Sequence, residues 1–324
     1  MIRLISGVLS VVALAGAAAA QTSDSAWLER PIRLVVPFPA GASTDVVARI
    51  IAQKLGQRLG QQIVIENRAG ASGNIGADTV AKAAPDGSTI GIATASTHAV
   101  AASLSAHLPY DPIKDFAPVA MLGSQPYVLV IYPGLPARNL AELIALARAK
   151  PGALNYGSAG VASLAHLATA LFASMAGVSL SHVPYKSSSQ SMTDVITGRL
   201  DMQFATIAPS LPNIRAGQLR ALATTGKTRA SVLPEVPTVA ESGIAGYEAA
   251  LWVAFVMPAG TSPAIITRLN HEVNEILNSA GGKDALVAQG MEPEPGPPEA
   301  VTQHIRSDTG KWREVVAKAG ITAQ

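Results

Sequence analysis

The chain has no cysteine among its 324 residues. That absence removes disulfides, thiolate metal sites, a cysteine nucleophile and a lipidated N-terminal cysteine together. Charge is also sparse: 14% of residues are Asp, Glu, Lys or Arg against 48% hydrophobic, which excludes a disordered chain and implies a folded one with a modestly charged surface. The 24 Lys plus Arg nearly balance the 22 Asp plus Glu. Nothing in that balance favours nucleic acid or an acidic bilayer as a partner. G-x-S-x-G, H-E-x-x-H, a Walker loop and clustered His and carboxylates at metal spacing are all missing, so no cofactor and no metal is expected.

What is present begins with residues 1–20, where Arg3 precedes an apolar run and Ala18-Ala19-Ala20 supplies small residues for cleavage. The expectation is a signal peptide removed after Ala20; the competing reading, a membrane anchor, meets an apolar core too short and too rich in Ala and Gly. Loss of Arg3 would leave 23 bases against 22 acids. An exported chain without disulfides must depend on its core, which fits the periplasm better than a small extracellular module. The remaining length is enough for two domains.

The organising stretch is 37–49. It follows a buried parallel strand at 32–36 and precedes a helix to about residue 59. Pro37 and Pro39 end the strand, Gly41 permits positive φ, and Ser43 or Thr44 is expected to cap the helix. Backbone N–H groups at such a helix start attract anions. Phe38, Ala40, Gly41, Ala42, Ser43, Thr44 and Asp45 therefore form half of a candidate carboxylate site. The alternative is an ordinary strand-to-helix connection.

A second strand at 63–67 leads into a loop with glycines at 70, 73 and 76, which fits neither nucleotide fingerprint and reads as tight helix–sheet packing. A third strand at 89–94 ends at Ser96, Thr97 and His98, at the carboxyl end of the sheet where ligands sit in open α/β folds. A proline-punctuated connection over 108–119 then precedes a strand at 127–131 and an amphipathic helix at 140–149.

The opening logic recurs beyond it. A strand at 154–156, the turn Gly157-Ser158-Ala159-Gly160 and a helix from Ser163 carrying His166 suggest a second helix start facing the first across a cleft. Tyr185 and Asp201 are further lining candidates, equally readable as a packed Tyr and a solvated Asp. Ser163 and His166, three apart on one helical turn, also allow an exported hydrolase, although a triad needs an orienting acid and an oxyanion hole as well. Strands alternate with helices throughout, which predicts α/β architecture with mainly parallel sheets in two domains.

Six ordered motifs resemble one family: Pro31-Ile32-Arg33-Leu34-Val35-Val36-Pro37-Phe38-Pro39-Ala40-Gly41, Val64-Ile65-Glu66-Asn67-Arg68, Pro85-Asp86-Gly87, Leu108-Pro109-Tyr110-Asp111, His182-Val183-Pro184-Tyr185-Lys186 and Pro237-Thr238-Val239-Ala240-Glu241-Ser242-Gly243. Their order and spacing are similar to the Bug-type periplasmic solute-binding proteins, the receptors of tripartite tricarboxylate transporters. The resemblance implies a type II Venus-flytrap fold with a double hinge crossing, domain 1 over 28–124 plus 246–324 and domain 2 over 125–245. It also implies a small carboxylate-bearing solute, a membrane permease as partner, no catalysis, and ligand contacts at 38–45, 157–166 and 96–98. A periplasmic sensor or adaptor using the same cleft fits the sequence equally. Two departures stand out: Ala42 replaces a common glycine, so positive φ there would be costly, and Ser187-Ser188-Ser189-Gln190 makes the far wall more polar.

Overall fold

The computed structural model describes residues 26–104, 107–161 and 163–321. The expected signal segment, 1–20, lies outside them. Among the described residues no helix is long and apolar enough to cross a membrane.

The chain opens with β1 (Ile32–Val36), α1 (Ser43–Leu59), β2 (Ile63–Asn67), α2 (Asn74–Ala81) and β3 (Thr89–Thr94). A π-helical turn (Ala95–Val100) runs into the short helix α3 (Ala101–Leu104), followed by β4 (Phe116–Ile131) and α4 (Leu140–Ala149). Then come β5 (Asn155–Ser158), α5 (Leu164–Ala176), β6 (Ser181–Pro184), α6 (Ser188–Ile196), β7 (Met202–Thr206), α7 (Ile207–Arg215) and β8 (Arg220–Thr224). The chain closes with β9 (Ala250–Pro258), α8 (Pro263–Asn278), α9 (Ala280–Val287), β10 (Glu292–Pro293) and α10 (Glu299–Ala319).

Two half-sheets share one order. The first runs β2-β1-β3-β9-β4 and the second β6-β5-β7-β4-β8. In each, the first three strands are parallel and the next two pairings antiparallel. The fold is thus mixed α/β, with two parallel three-strand units joined by the long strand β4.

β4 differs from expectation. It starts at Phe116, inside the segment that its prolines mark as a connection, and continues through Pro118 and Pro126. Pro118 sits at a register shift against β9, where the N–H donor that proline lacks is least missed. Pro126 pairs with Ala250 at the end of the first half-sheet, and the next residue, Tyr127, pairs with Thr206 in the second. Thr225 fastens this crossing to the returning one. Its N–H donates to the Tyr127 carbonyl at 2.9 Å, its Oγ1 accepts from the Tyr127 N–H at 2.7 Å, and its carbonyl accepts from the Ala249 N–H at 3.0 Å. Its hydroxyl also donates to the Ala249 carbonyl.

The core follows from the strands' unbroken apolar runs. Leu34, Ile90, Ile92 and Phe255 pack with Val47, Ile51 and Leu55 of α1 and Leu269 and Val273 of α8. A larger cluster on the other face passes through Tyr127, Leu129, Phe172 and Phe204 to Trp252 and Trp312. Both indole N–H groups donate to Asp308 Oδ2, at 2.7 and 3.1 Å. These bonds pin α10 across β9 and satisfy two buried donors.

Candidate functional site

The loop after β1 is braced from inside. Asp45, 2% exposed, accepts from the Gly41 N–H at 2.8 Å, Arg49 Nε at 2.9 Å and Asn67 Nδ2 at 2.9 Å. Burial pushes its carboxyl up, but hydrogen bonds from Arg49, Asn67 and Gly41 outweigh that, and the group is held below the usual carboxylate range. Asn67 Nδ2 also donates to the Phe38 carbonyl at 3.0 Å. Gly41 takes φ +81°, as expected. Ala42 does not: it is extended at φ −65°, so replacing a glycine there costs nothing.

The cap of α1 corrects another expectation. Ser43 is the first helical residue and Ala42 the N-cap, with no side chain to accept from the first turn. Ser43 Oγ donates instead to Gln125 Oε1 on β4 at 2.8 Å. The opening N–H groups of α1 therefore have neither helical nor side-chain acceptors.

Neighbouring loops are locked onto this one. A Cβ on Gly76 would meet Pro37 Cα at 2.7 Å, and one on Gly73 would meet Thr97 Cγ2 at 2.7 Å and Phe38 Cζ at 3.3 Å. Tight packing is thus the role of those two glycines. The Tyr110 hydroxyl lies 2.8 Å from Asn74 Oδ1 and 2.7 Å from the Thr97 carbonyl, joining the loops after β2 and β3. Ala71 and Ser72, between Gly70 and Gly73, take φ 47° and 56°, a left-handed conformation uncommon for residues with a β-carbon.

Facing these loops is the start of α5. Ser163 is its N-cap: Oγ accepts from the His166 backbone N–H at 3.3 Å and donates to the Gly160 carbonyl at 2.8 Å. Between the two sides lies a cavity of about 630 Å³. Of the expected residues, Phe38, Ala42, Ser43, Thr44, Ser96, Ala159 and Ser163 line it. So do Ala71, Ser72 and Asn74, together with Tyr127 and Leu251 at the crossings, none of which sequence reasoning placed there. Asn67, the brace between two loops, was also missed; its position at the carboxyl end of β2 was the available signal.

Other expected residues stand behind or away from this wall. Thr97 and Thr94 cap each other reciprocally, and both are fully buried. His98 is fully buried too, Nδ1 2.9 Å from Thr97 Oγ1 and its ring 4.6 Å from Phe116, with Nε2 unpaired; burial pushes its pKa down to about 3. Ser158 is buried, its hydroxyl 2.7 Å from His182 Nε2 and 2.9 Å from the Gly160 carbonyl. Gly157 lies against Ser191 and Leu200, where a Cβ would approach to 2.6 and 2.7 Å. Gly160 takes φ +111° and serves Ser158 and Ser163 through its carbonyl. His166 stacks on His182 at 3.9 Å and faces a different cavity of about 710 Å³ between α5 and α10. Burial first, then His182, pushes the His166 pKa down to about 4. The Tyr185 hydroxyl donates to Asp194 Oδ2 at 2.6 Å, and Asp201 exchanges backbone-to-side-chain bonds with Asn155 at 2.8 and 2.9 Å. Ala40 and Gly41 shape the first loop but do not line the cavity.

With this geometry in view, the family described as "Tripartite tricarboxylate transporter family receptor" matches residues 47–321. The chain belongs to this receptor family. Protein BugT of Bordetella pertussis is 39% identical to the receptor over 321 residues, covering 99% of this chain and 98% of its own. A solved structure titled "R. palustris Rpa4515 with adipate" is 40% identical, with a TM-score of 0.79 and coverage of 91% of this receptor and 99% of that chain. MatC from Rhodopseudomonas palustris, with bound malate, is 32% identical at a TM-score of 0.73, covering 89% and 99%. The resemblance drawn from six motifs is therefore shown across the chain.

Proposed function

We propose that this receptor captures a small carboxylate in the periplasm, after cleavage behind Ala20, and passes it to a tripartite-type membrane permease. The observation that carries the reading is the cavity between the starts of α1 and α5, lined by Ser43, Thr44 and Ser163. One carboxylate meets the uncapped first turn of α1, where donors and helix dipole coincide. Ser163 and the turn around Ala159 take the other side. Two matched structures hold small carboxylates, adipate in one and malate in the other, which supports this class of solute.

Closure is by hinge motion of domain 1 (28–124 plus 246–324) against domain 2 (125–245), bending where β4 changes partners at Pro126 and Tyr127. Covalent chemistry has no part in the reading. The Ser163 hydroxyl donates to the Gly160 carbonyl at 2.8 Å, and the His166 ring stacks on His182 beside another cavity, which supports binding rather than nucleophilic catalysis.

Thermal unfolding of the mature chain, stripped by unfolding and refolding, tests it against mono-, di- and tricarboxylates, aromatic acids and neutral amides. A ligand at one hundred times its Kd stabilises by about 2.7 kcal/mol. Stabilisation by acids and not by the matched amides is expected. A response confined to neutral compounds would overturn the carboxylate reading, and consumption of the ligand would overturn the receptor reading.

A further inference from the structure

The cavity is chemically lopsided. Its polar lining, Ser43, Thr44, Ser72, Asn74, Ser96 and Ser163, comes from loop ends and helix starts. Several of these groups already serve the protein: Ser43 binds Gln125, Asn74 meets Tyr110, and Ser163 caps α5. Val100, Leu104, Leu164 and Leu251 give the same cavity an apolar lining beside these groups. Val100 and Leu164 belong to the central hydrophobic cluster, and Leu104 and Leu251 pack against it. Among the described residues no Lys, Arg, His, Asp or Glu lines the cavity.

We propose that the solute is a carboxylate with an apolar alkyl or aryl body, and that Val100, Leu104, Leu164 and Leu251 set this preference. The inference rests on the carboxylate-receptor reading above and narrows it. A compact hydroxylated polyacid would press carboxylates and hydroxyls against leucine side chains that offer no hydrogen bond, and burying such groups unpaired is strongly unfavourable. An alkyl or aryl body loses nothing on that lining. Each methylene placed there tightens binding about fourfold, until the chain outgrows the cavity. Phe38 and Tyr127 add aromatic side chains to the lining.

Calorimetry on the stripped, refolded chain distinguishes the possibilities, with butyrate, hexanoate, benzoate, malate, citrate and hexanamide as probes. Hexanoate and benzoate are expected to bind at least tenfold tighter than malate or citrate, and hexanoate about fifteenfold tighter than butyrate. Leu104→Ser, at a partly exposed helix end, is expected to weaken hexanoate about fivefold or more and to change malate less than twofold. Malate or citrate binding as tightly as hexanoate would overturn this inference and leave the carboxylate receptor standing. Hexanamide binding as tightly as hexanoate would overturn the carboxylate reading itself. Absence of binding by every acid would overturn both.

Discussion

Replacing Asp45 with Asn tests whether the first loop is preorganised by one carboxylate. The side chain is 2% exposed and accepts three hydrogen bonds, from the Gly41 N–H, Arg49 Nε and Asn67 Nδ2. The three are not equal. Arg49 is 51% exposed, so its ion pair is screened and contributes at most about 1 kcal/mol. The bonds from Gly41 and Asn67 end on a buried charge, and each is worth about 1.5–3 kcal/mol. An Asn amide can present its oxygen to one of them only, leaving its NH2 against the other donor. Asp45→Asn should therefore lower the unfolding free energy by about 2–4 kcal/mol, read from urea denaturation, while Arg49→Ala should cost under about 1 kcal/mol. Solute affinity should fall about tenfold or more in Asp45→Asn, because the first turn of α1 loses its fixed place. The sign with pH follows. A carboxyl held below its ordinary value stabilises the fold above the unfolded pKa, and that contribution fades as pH drops through the lowered folded pKa. Equal costs for the two substitutions, or wild-type stability in Asp45→Asn, would refute the reasoning.

Other outcomes follow from groups around the same loops. Ser163→Ala removes the cap of α5 and should cost about 1 kcal/mol of stability; if the hydroxyl also contacts solute, affinity falls by a further 1–3 kcal/mol, roughly. Unchanged stability and affinity would take Ser163 out of both roles. Gly73→Ala places a Cβ 2.7 Å from Thr97 Cγ2 at φ +96°. Strain and overpacking should together cost about 2–4 kcal/mol, measured by chemical denaturation. His98 is neutral in the fold, with its pKa pushed to about 3 by burial, whereas unfolded His takes a proton near pH 6.5. Stability should therefore fall as pH drops from 6.5 towards 3, with His98 contributing up to about 3 kcal/mol of that loss by pH 4. His98→Gln should flatten the slope over this window, and an unaltered slope would show that the imidazole is not buried neutral.

Much of the architecture was legible because apolar runs of strand length are hard to mistake in an alternating α/β chain. β1 and β3 occupy the expected 32–36 and 89–94. β4 was only half visible, since Pro118 and Pro126 normally argue against a central strand, and only tertiary pairing shows that one sits at a register shift and the other at a change of partner. At the site, Gly41 and Ser163 do locally what their residue types favour, positive φ and helix capping. Ala71 and Ser72 gave no signal, because nothing in an Ala-Ser pair foretells left-handed backbone. His166 was placed on the right turn of the right helix, but its side depends on the His182 ring stacked against it from β6. Tyr127 and Leu251 reach the cavity from crossings far apart in sequence, and no local pattern encodes that proximity.

The interlaced strands bear on how the cavity comes into being. In the first half-sheet, β9 stands between β3 and β4, although it is the last of these strands to be synthesised. Until residues 250–258 insert, β3 and β4 each present an open edge and the loops that hold Phe38, Ser72 and Ser96 have no continuous sheet beneath them. The second half-sheet needs nothing beyond β8 and can assemble earlier. Long-range pairing of this kind is slow to form. The cavity between the starts of α1 and α5 therefore cannot be complete before residues 250–258 are in place, once the chain has passed through both crossings and Thr225 can meet Ala249.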